Sequence, residues 1–269
     1  MKNKIINHNK IFALLILSIT LLSSCAEENN FNPNAESVPE SSAKVKFQNV
    51  AIGPAGVNFS VNWFLNDVKT TAVSVLSGLP LGTSYGAQYP ASINYALVPS
   101  GNLSMKVEIP ATTTVAASTL FTSPLVVEAA KNYTTFVVGT SPTYSAYTVA
   151  DDLTVADPTK AYIRFLNVIS NSPSAGYDLS IKELNSNAVI YTGIHYLGGS
   201  NSFIPITPVT DLESINYEIQ LRAAGTTTVV AKTTLIPRKG RVYTFFSYGY
   251  DGGMPTSKNI PVLNYHINK

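Results

Sequence analysis

The chain repeats itself at the scale of a whole domain. Ala43-Lys44-Val45-Lys46-Phe47-Gln48-Asn49-Val50 is matched by Ala161-Tyr162-Ile163-Arg164-Phe165-Leu166-Asn167-Val168. Lys131-Asn132-Tyr133-Thr134-Thr135-Phe136-Val137-Val138-Gly139 is matched by Arg241-Val242-Tyr243-Thr244-Phe245-Phe246-Ser247-Tyr248-Gly249. The two offsets are 118 and 110 residues, too long for a solenoid turn. A unit of that length can bury a core of its own, and Asp151–Thr159 is the natural boundary between copies.

Within each copy the apolar residues alternate. Val57, Phe59, Val61, Trp63 and Leu65 are spaced by two, as are Leu103, Met105, Val107 and Ile109, and Ile215, Tyr217, Ile219 and Leu221. That period belongs to half-buried strands. No long segment places apolar residues at helical spacing, and Pro and Gly recur between the runs as turn signals. Only 13% of residues are charged. The expected fold is all-β, two Ig-like antiparallel β-sandwiches in tandem over residues 43–153 and 160–269, joined by a linker at 154–159. Tyr133 and Tyr243 are expected to pack as tyrosine corners.

The matching residues also carry a family resemblance. A basic-aromatic first strand, an Asn-Val with a Pro/Ala/Gly turn, and a late Tyr-Thr strand with a closing glycine resemble the bacterial domain of unknown function 4397, often found in tandem in exported proteins. Two details depart from that pattern. The turns read Ala51-Ile52-Gly53-Pro54-Ala55-Gly56 and Ser172-Pro173-Ser174-Ala175-Gly176, and the first copy has Ala130 where a glycine is usual before Tyr-Thr. The resemblance implies the architecture and brings no established activity.

The N-terminus reads as an address. Lys2, Lys4 and Lys10 precede or open an apolar run, Ile11–Leu22, that is too short to span a bilayer comfortably. Leu22-Ser23-Ser24-Cys25 resembles the lipobox of bacterial lipoproteins, which implies removal of residues 1–24 and acylation of Cys25, the only cysteine. No disulfide is then possible, so stability must come from burial. Residues 25–42 are polar and read as a flexible tether. Glu27-Glu28 resembles the acidic surface-export signal of lipoproteins in the Bacteroides–Flavobacterium group. The expected location is the outer membrane, lipid-anchored and facing the periplasm or the outside. Without the signal, 15 basic residues stand against 16 acidic ones, which gives no electrostatic reason to expect nucleic acid.

Candidate chemistry is thin. Gly82-Thr83-Ser84-Tyr85-Gly86 fits G-x-S-x-G but lacks the helix that should follow, and only His195 and His266 survive signal removal. Asp151, Asp152 and Asp157 lack the spacing of a calcium loop, and there is no Cys/His set for zinc. No catalytic residue, metal or cofactor is expected. Tyrosines near turns are the remaining candidates. Tyr248 and Tyr250, before Asp251-Gly252-Gly253, are expected to present rings for an envelope protein or a surface glycan. The functional expectation is a non-enzymatic binding or structural module. A fimbrial subunit or adhesin that exchanges an edge strand, and a glycan-binding accessory protein, are the alternatives.

Overall fold

The computed structural model describes residues 41–71, 75–76, 79–80, 82–182, 187–209, 216–253 and 259–269. Cys25, the signal and the tether up to residue 40 lie outside the described residues, as does Ile215. What is described is almost entirely strand and turn, in two similar pairs of sheets.

In the first repeat, the opening strand Ser42–Asn49 lies beside Asn132–Thr140, which pairs with Thr143–Ala150; the short strands Gln88–Tyr89 and Ala96–Pro99 flank the other side of the opening strand. The facing sheet is ordered Val68–Lys69, Asn62–Leu65, Gly101–Ile109, Ser118–Val127. The second repeat has the same plan. Ala161–Asn167 lies between Val242–Tyr248 and the short strands Gly198–Gly199 and Ile204–Ile206, and Val262–Ile267 closes the edge. Its facing sheet is Asn187–Ile194, Tyr177–Lys182, Tyr217–Ala223, Val229–Leu235.

One pairing differs from the antiparallel expectation. The opening and late strands run parallel in both repeats, with Val45 opposite Tyr133 and Ile163 opposite Tyr243. Between these strands the chain crosses to the facing sheet and comes back on the same heading, a route that a parallel pair requires and a hairpin cannot supply.

The alternating residues fill the two cores. Val45, Phe47, Val61, Trp63, Leu65, Met105 and Val107 pack together in the first, and Ile163, Phe165, Tyr177, Leu179, Ile219 and Leu221 in the second. Trp63 is fully buried with its ring 5.3 Å from Phe47. The alternation begins later than the sequence suggests. Strand pairing starts at Asn62, and Val57, 62% exposed, instead donates its N–H to Pro54 in a turn.

Two shared motifs have physical causes. Asn49 and Asn167 are fully buried at the same place in each repeat. The Asn49 amide donates to the carbonyls of Phe59 and Thr83, and that of Asn167 to Ser172 and the Ile194 carbonyl. Each asparagine thus satisfies buried groups of the loop that crosses it. Gly139 and Gly249 have φ of 105° and 108°, and a Cβ at either would lie 2.3 Å from a backbone oxygen. No other residue fits there.

The described residues cluster as one compact unit, because the five-stranded sheets of the two repeats pack on each other. Val50, Phe136, Val138 and Val149 of the first meet Leu166, Val168, Phe246 and Tyr248 of the second. Phe136 and Phe246, equivalent in the alignment, touch edge to face at 5.5 Å. Equivalent residues meeting each other is the mark of a two-fold contact, here within one chain.

Candidate functional site

The seam between the repeats holds a buried polar cluster with the same near-symmetry. Lys46 and Arg164, equivalent residues of the opening strands, are both fully buried. Each lies over an aromatic ring of its own repeat, Lys46 over Tyr95 at 4.8 Å and Arg164 over Phe203 at 4.7 Å. Each also reaches across. Lys46 Nζ donates to the Ile267 carbonyl at 2.9 Å, and Arg164 Nη1 to the Ala150 carbonyl at 2.7 Å. Strand registers place Ala150 and Ile267 at equivalent positions opposite Tyr133 and Tyr243. The cluster is thus a pair of reciprocal clasps.

The next residue along differs between the repeats. In the first it is Asp151, whose carboxylate pairs with Arg164 and accepts hydrogen bonds from Thr134 and Tyr95, each at 2.8 Å. In the second it is Asn268, which accepts from Thr244 at 2.7 Å and donates to the Tyr95 hydroxyl at 2.9 Å. Lys46 therefore has no carboxylate where Arg164 has one. Burial lowers its pKa to about 8, partly offset by the field of Asp151. His266 stands where the first repeat has Val149. Burial holds its pKa well below the usual histidine range, and Lys46 and Arg164 push it the same way. Tyr95 is shifted upward, first by burial and then by Asp151.

Outside the seam, two open clefts form at the tyrosine corners. In each repeat the tyrosine hydroxyl accepts the N–H of the residue five before it, Glu128 to Tyr133 at 3.0 Å and Arg238 to Tyr243 at 3.1 Å. The first-repeat cleft, about 620 Å³, is lined by Glu128, Lys131, Asp151 and Asp152 among others. The second-repeat cleft, about 470 Å³, is lined by Ile93, Asn216, Arg238, Arg241, Tyr243 and Tyr265 with an aliphatic floor. Tyr265 is half-buried on the edge strand, its ring 6.0 Å from Tyr243 and nearly perpendicular to it. An aromatic face beside polar side chains, in a cleft of this size, suits a small polar ligand.

The expected site residues fall elsewhere. Cys25 lies outside the described residues. Tyr248 sits in the seam at 8% exposure, its ring 5.3 Å from Tyr85 and 5.7 Å from Phe246. It does not project from a turn. Tyr250 is half-buried, and the turn that follows is stapled: Tyr177 donates to the Asp251 carboxylate at 2.6 Å, and Asn171 exchanges two hydrogen bonds with the Asp251 backbone. Tyr265 was missed because it belongs to no recognisable motif, and Arg241 because the repeated strand it opens reads as architecture. Lys46 and Arg164 were visible as a repeated basic position, but alternation alone assigns such residues to solvent.

No catalytic constellation forms among the described residues. Ser84 of the G-x-S-x-G pattern has Ser60 as its partner at 3.4 Å. Asp152 and Asp157 accept N–H groups of Thr154 and Thr159 in local turns, and among the described residues no group of three or more His, Cys, Asp or Glu could hold a metal.

This arrangement defines a tandem β-sandwich protein with a fused inner seam and open clefts at its outer corners. Residues 43–175 match the family model for DUF4397, a domain of unknown function, so a DUF4397 domain is present. The match takes in the first repeat, the linker and the start of the second. No curated protein matches. Among solved structures, CBMbc, a family CBM26 protein from Eubacterium rectale Amy13K in complex with maltoheptaose, is similar at 10% identity and a TM-score of 0.23, over 84% of this chain and 95% of that one. A likeness that slight carries no argument about fold or ligand.

Proposed function

We propose that the protein is a non-enzymatic glycan-binding module of the bacterial cell envelope. Its two sandwiches are Ig-like, and lipid on Cys25 anchors it to the outer membrane with the repeats extended on the tether. One observation carries the ligand class. The second-repeat cleft is lined by Tyr265, Asn216 and Arg241 together. Sugars present an apolar face that stacks on an aromatic ring and a polar rim that takes directed hydrogen bonds. This cleft lies at the opposite end of strand Val242–Tyr248 from Tyr250, to which we assign a secondary contact, with Tyr248 supporting it from the seam.

A fimbrial role would need an edge strand that another copy can extend. The longest edge strand, Ser118–Val127, carries Pro124, a residue that protects sheet edges against such pairing, whereas the edge strands Thr143–Ala150 and Asn187–Ile194 carry none. The lining of the second-repeat cleft is what favours the glycan reading. Calorimetric titration of the Cys25→Ser chain with neutral and acidic oligosaccharides tests it. Binding by the wild-type cleft should fall at least tenfold in Tyr265→Ala, since aromatic contacts carry a large share of interface energy. A wild type that binds no saccharide of the panel would end the proposal.

A further inference from the structure

The two tyrosine-corner clefts are built on the same turn with different charges. In the second repeat the turn runs from Arg238 to Arg241, closed by the Arg241 N–H donating to the Arg238 carbonyl at 3.2 Å. Gly240 occupies its third position with φ of 72°. The turn brings the two arginine backbones within about 7 Å of each other. In the first repeat the same closure joins Lys131 to Glu128 at 3.3 Å. There the turn begins with an acid, and Asp151 and Asp152 line the same cleft.

The second-repeat cleft has no carboxylate among its described lining residues. The charged groups acting on the Tyr243 hydroxyl there are Arg241 and Arg238, both cationic. Arg241 is exposed at the rim, and Arg238 is half-buried behind it with bonds of its own. Tyr265 stands on the adjoining strand.

We infer that the second-repeat cleft takes an acidic saccharide, whose carboxylate or sulfate meets the Arg241 guanidinium while a sugar ring lies against Tyr265. The inference rests on the glycan-binding reading and narrows it. A guanidinium offers parallel N–H donors that match an anionic pair of oxygens, a strong and directional contact. The first-repeat cleft is lined by Glu128 and Asp152 as well as Lys131, so an anionic group meets opposing charges there, while the Asp151 carboxylate is committed to Arg164 in the seam. The repeats are then not two equal binding sites. One takes the acidic sugar and the other does not.

The test is titration of the Cys25→Ser full-length chain with trigalacturonate, a sulfated galactose trimer and maltotriose. At least one anionic trimer should bind about tenfold or more tightly than maltotriose. Whichever binds names the anionic substituent. Arg241→Gln should close the gap between anionic and neutral sugars, as should raised salt. Lys131→Gln, the matching change in the first repeat, should leave the gap intact. Circular dichroism of the whole chain serves as the check that each variant is folded. Equal affinity for anionic and neutral trimers, or a gap that survives Arg241→Gln, overturns the inference and leaves the glycan reading standing. No binding of any trimer overturns both.

Discussion

The two repeats share what makes the sandwich and differ in what faces outward or across the seam. Asn49 and Asn167, Gly139 and Gly249, and Tyr133 and Tyr243 do the same work in each copy. By contrast Asp151 is replaced by Asn268, Val149 by His266, Glu128 by Arg238 and Ala130 by Gly240. Shared positions answer demands of backbone geometry that no alternative residue meets. Diverged positions lie where charge decides the outcome, or where an unfavourable residue is merely tolerated. Comparing equivalent positions therefore separates fold from function without reference to any relative.

The largest expected difference concerns the two clasps. Arg164→Met leaves the Asp151 carboxylate buried without its cation, and removing one partner of a buried pair costs about 3–5 kcal/mol. Lys46→Met leaves only carbonyls unpaired and removes a desolvated charge, so it should cost no more than about half as much. Chemical denaturation followed by Trp63 fluorescence measures both. Because the seam core joins the repeats, the second-repeat change should shift the transition reported by a first-repeat tryptophan. Equal losses from the two variants would show that Asp151 does not distinguish the clasps. An unmoved Trp63 transition for Arg164→Met would show that the repeats unfold separately.

Next in size is the pH dependence. His266 has a lowered folded pKa, so the unfolded chain takes up its proton first as pH falls below about 6.5. Its contribution to stability is present above that pH and is lost toward acid. Lys46 obeys the same sign: its contribution is complete above its ordinary 10.5 and is gone once pH has fallen to about 8. Both groups make the seam firmer at higher pH, with a limiting slope of about 1.4 kcal/mol per pH unit for each group within its window. Denaturant midpoints at pH 5, 7 and 9 provide the measurement. Replacing His266 by Val, the residue of the first repeat, should flatten the acid limb alone. An acid limb unchanged in that variant would remove His266 from the account.

The smallest effect sits at the turn before each corner tyrosine. Ala130 holds φ of 61° and Gly240 φ of 72°, a region costly to residues with a Cβ. Ala130→Gly should stabilise the first repeat by up to about 1 kcal/mol, and Gly240→Ala should destabilise the second by about as much. Nothing crowds a Cβ at Gly240, where the nearest atom is 3.6 Å away, so the effect is conformational. Thermal unfolding that moves both variants in the same direction would contradict it.

Much of the sheet content was legible in the sequence, since the alternation of Leu103, Met105 and Val107 and of Tyr217, Ile219 and Leu221 matches buried positions. The parallel pairing was not, because period two is the same in either orientation. The seam was hidden for a related reason. Lys46, Gln48, Thr134 and Arg164 occupy the polar phase of their strands, which normally meets water, and here that phase meets the other repeat. Tyr248 was misplaced by the same logic. The candidate cleft was illegible because Asn216, Arg241 and Tyr265 come from three separate segments and meet only when the two sheets close.

The exchange of Asp151 for Asn268 bears on how neighbouring copies of the chain avoid assembling wrongly. Two second repeats meeting through their seam faces would bury two guanidinium groups against Asn268 and His266 with no carboxylate between them, a costly arrangement. A first repeat joined to a second puts one carboxylate among the two cations. Fidelity in assembly is often secured by penalising the wrong pairing as much as by favouring the right one. A single amide in place of an acid therefore lets the second repeat distinguish its own sister repeat from the second repeat of a neighbour.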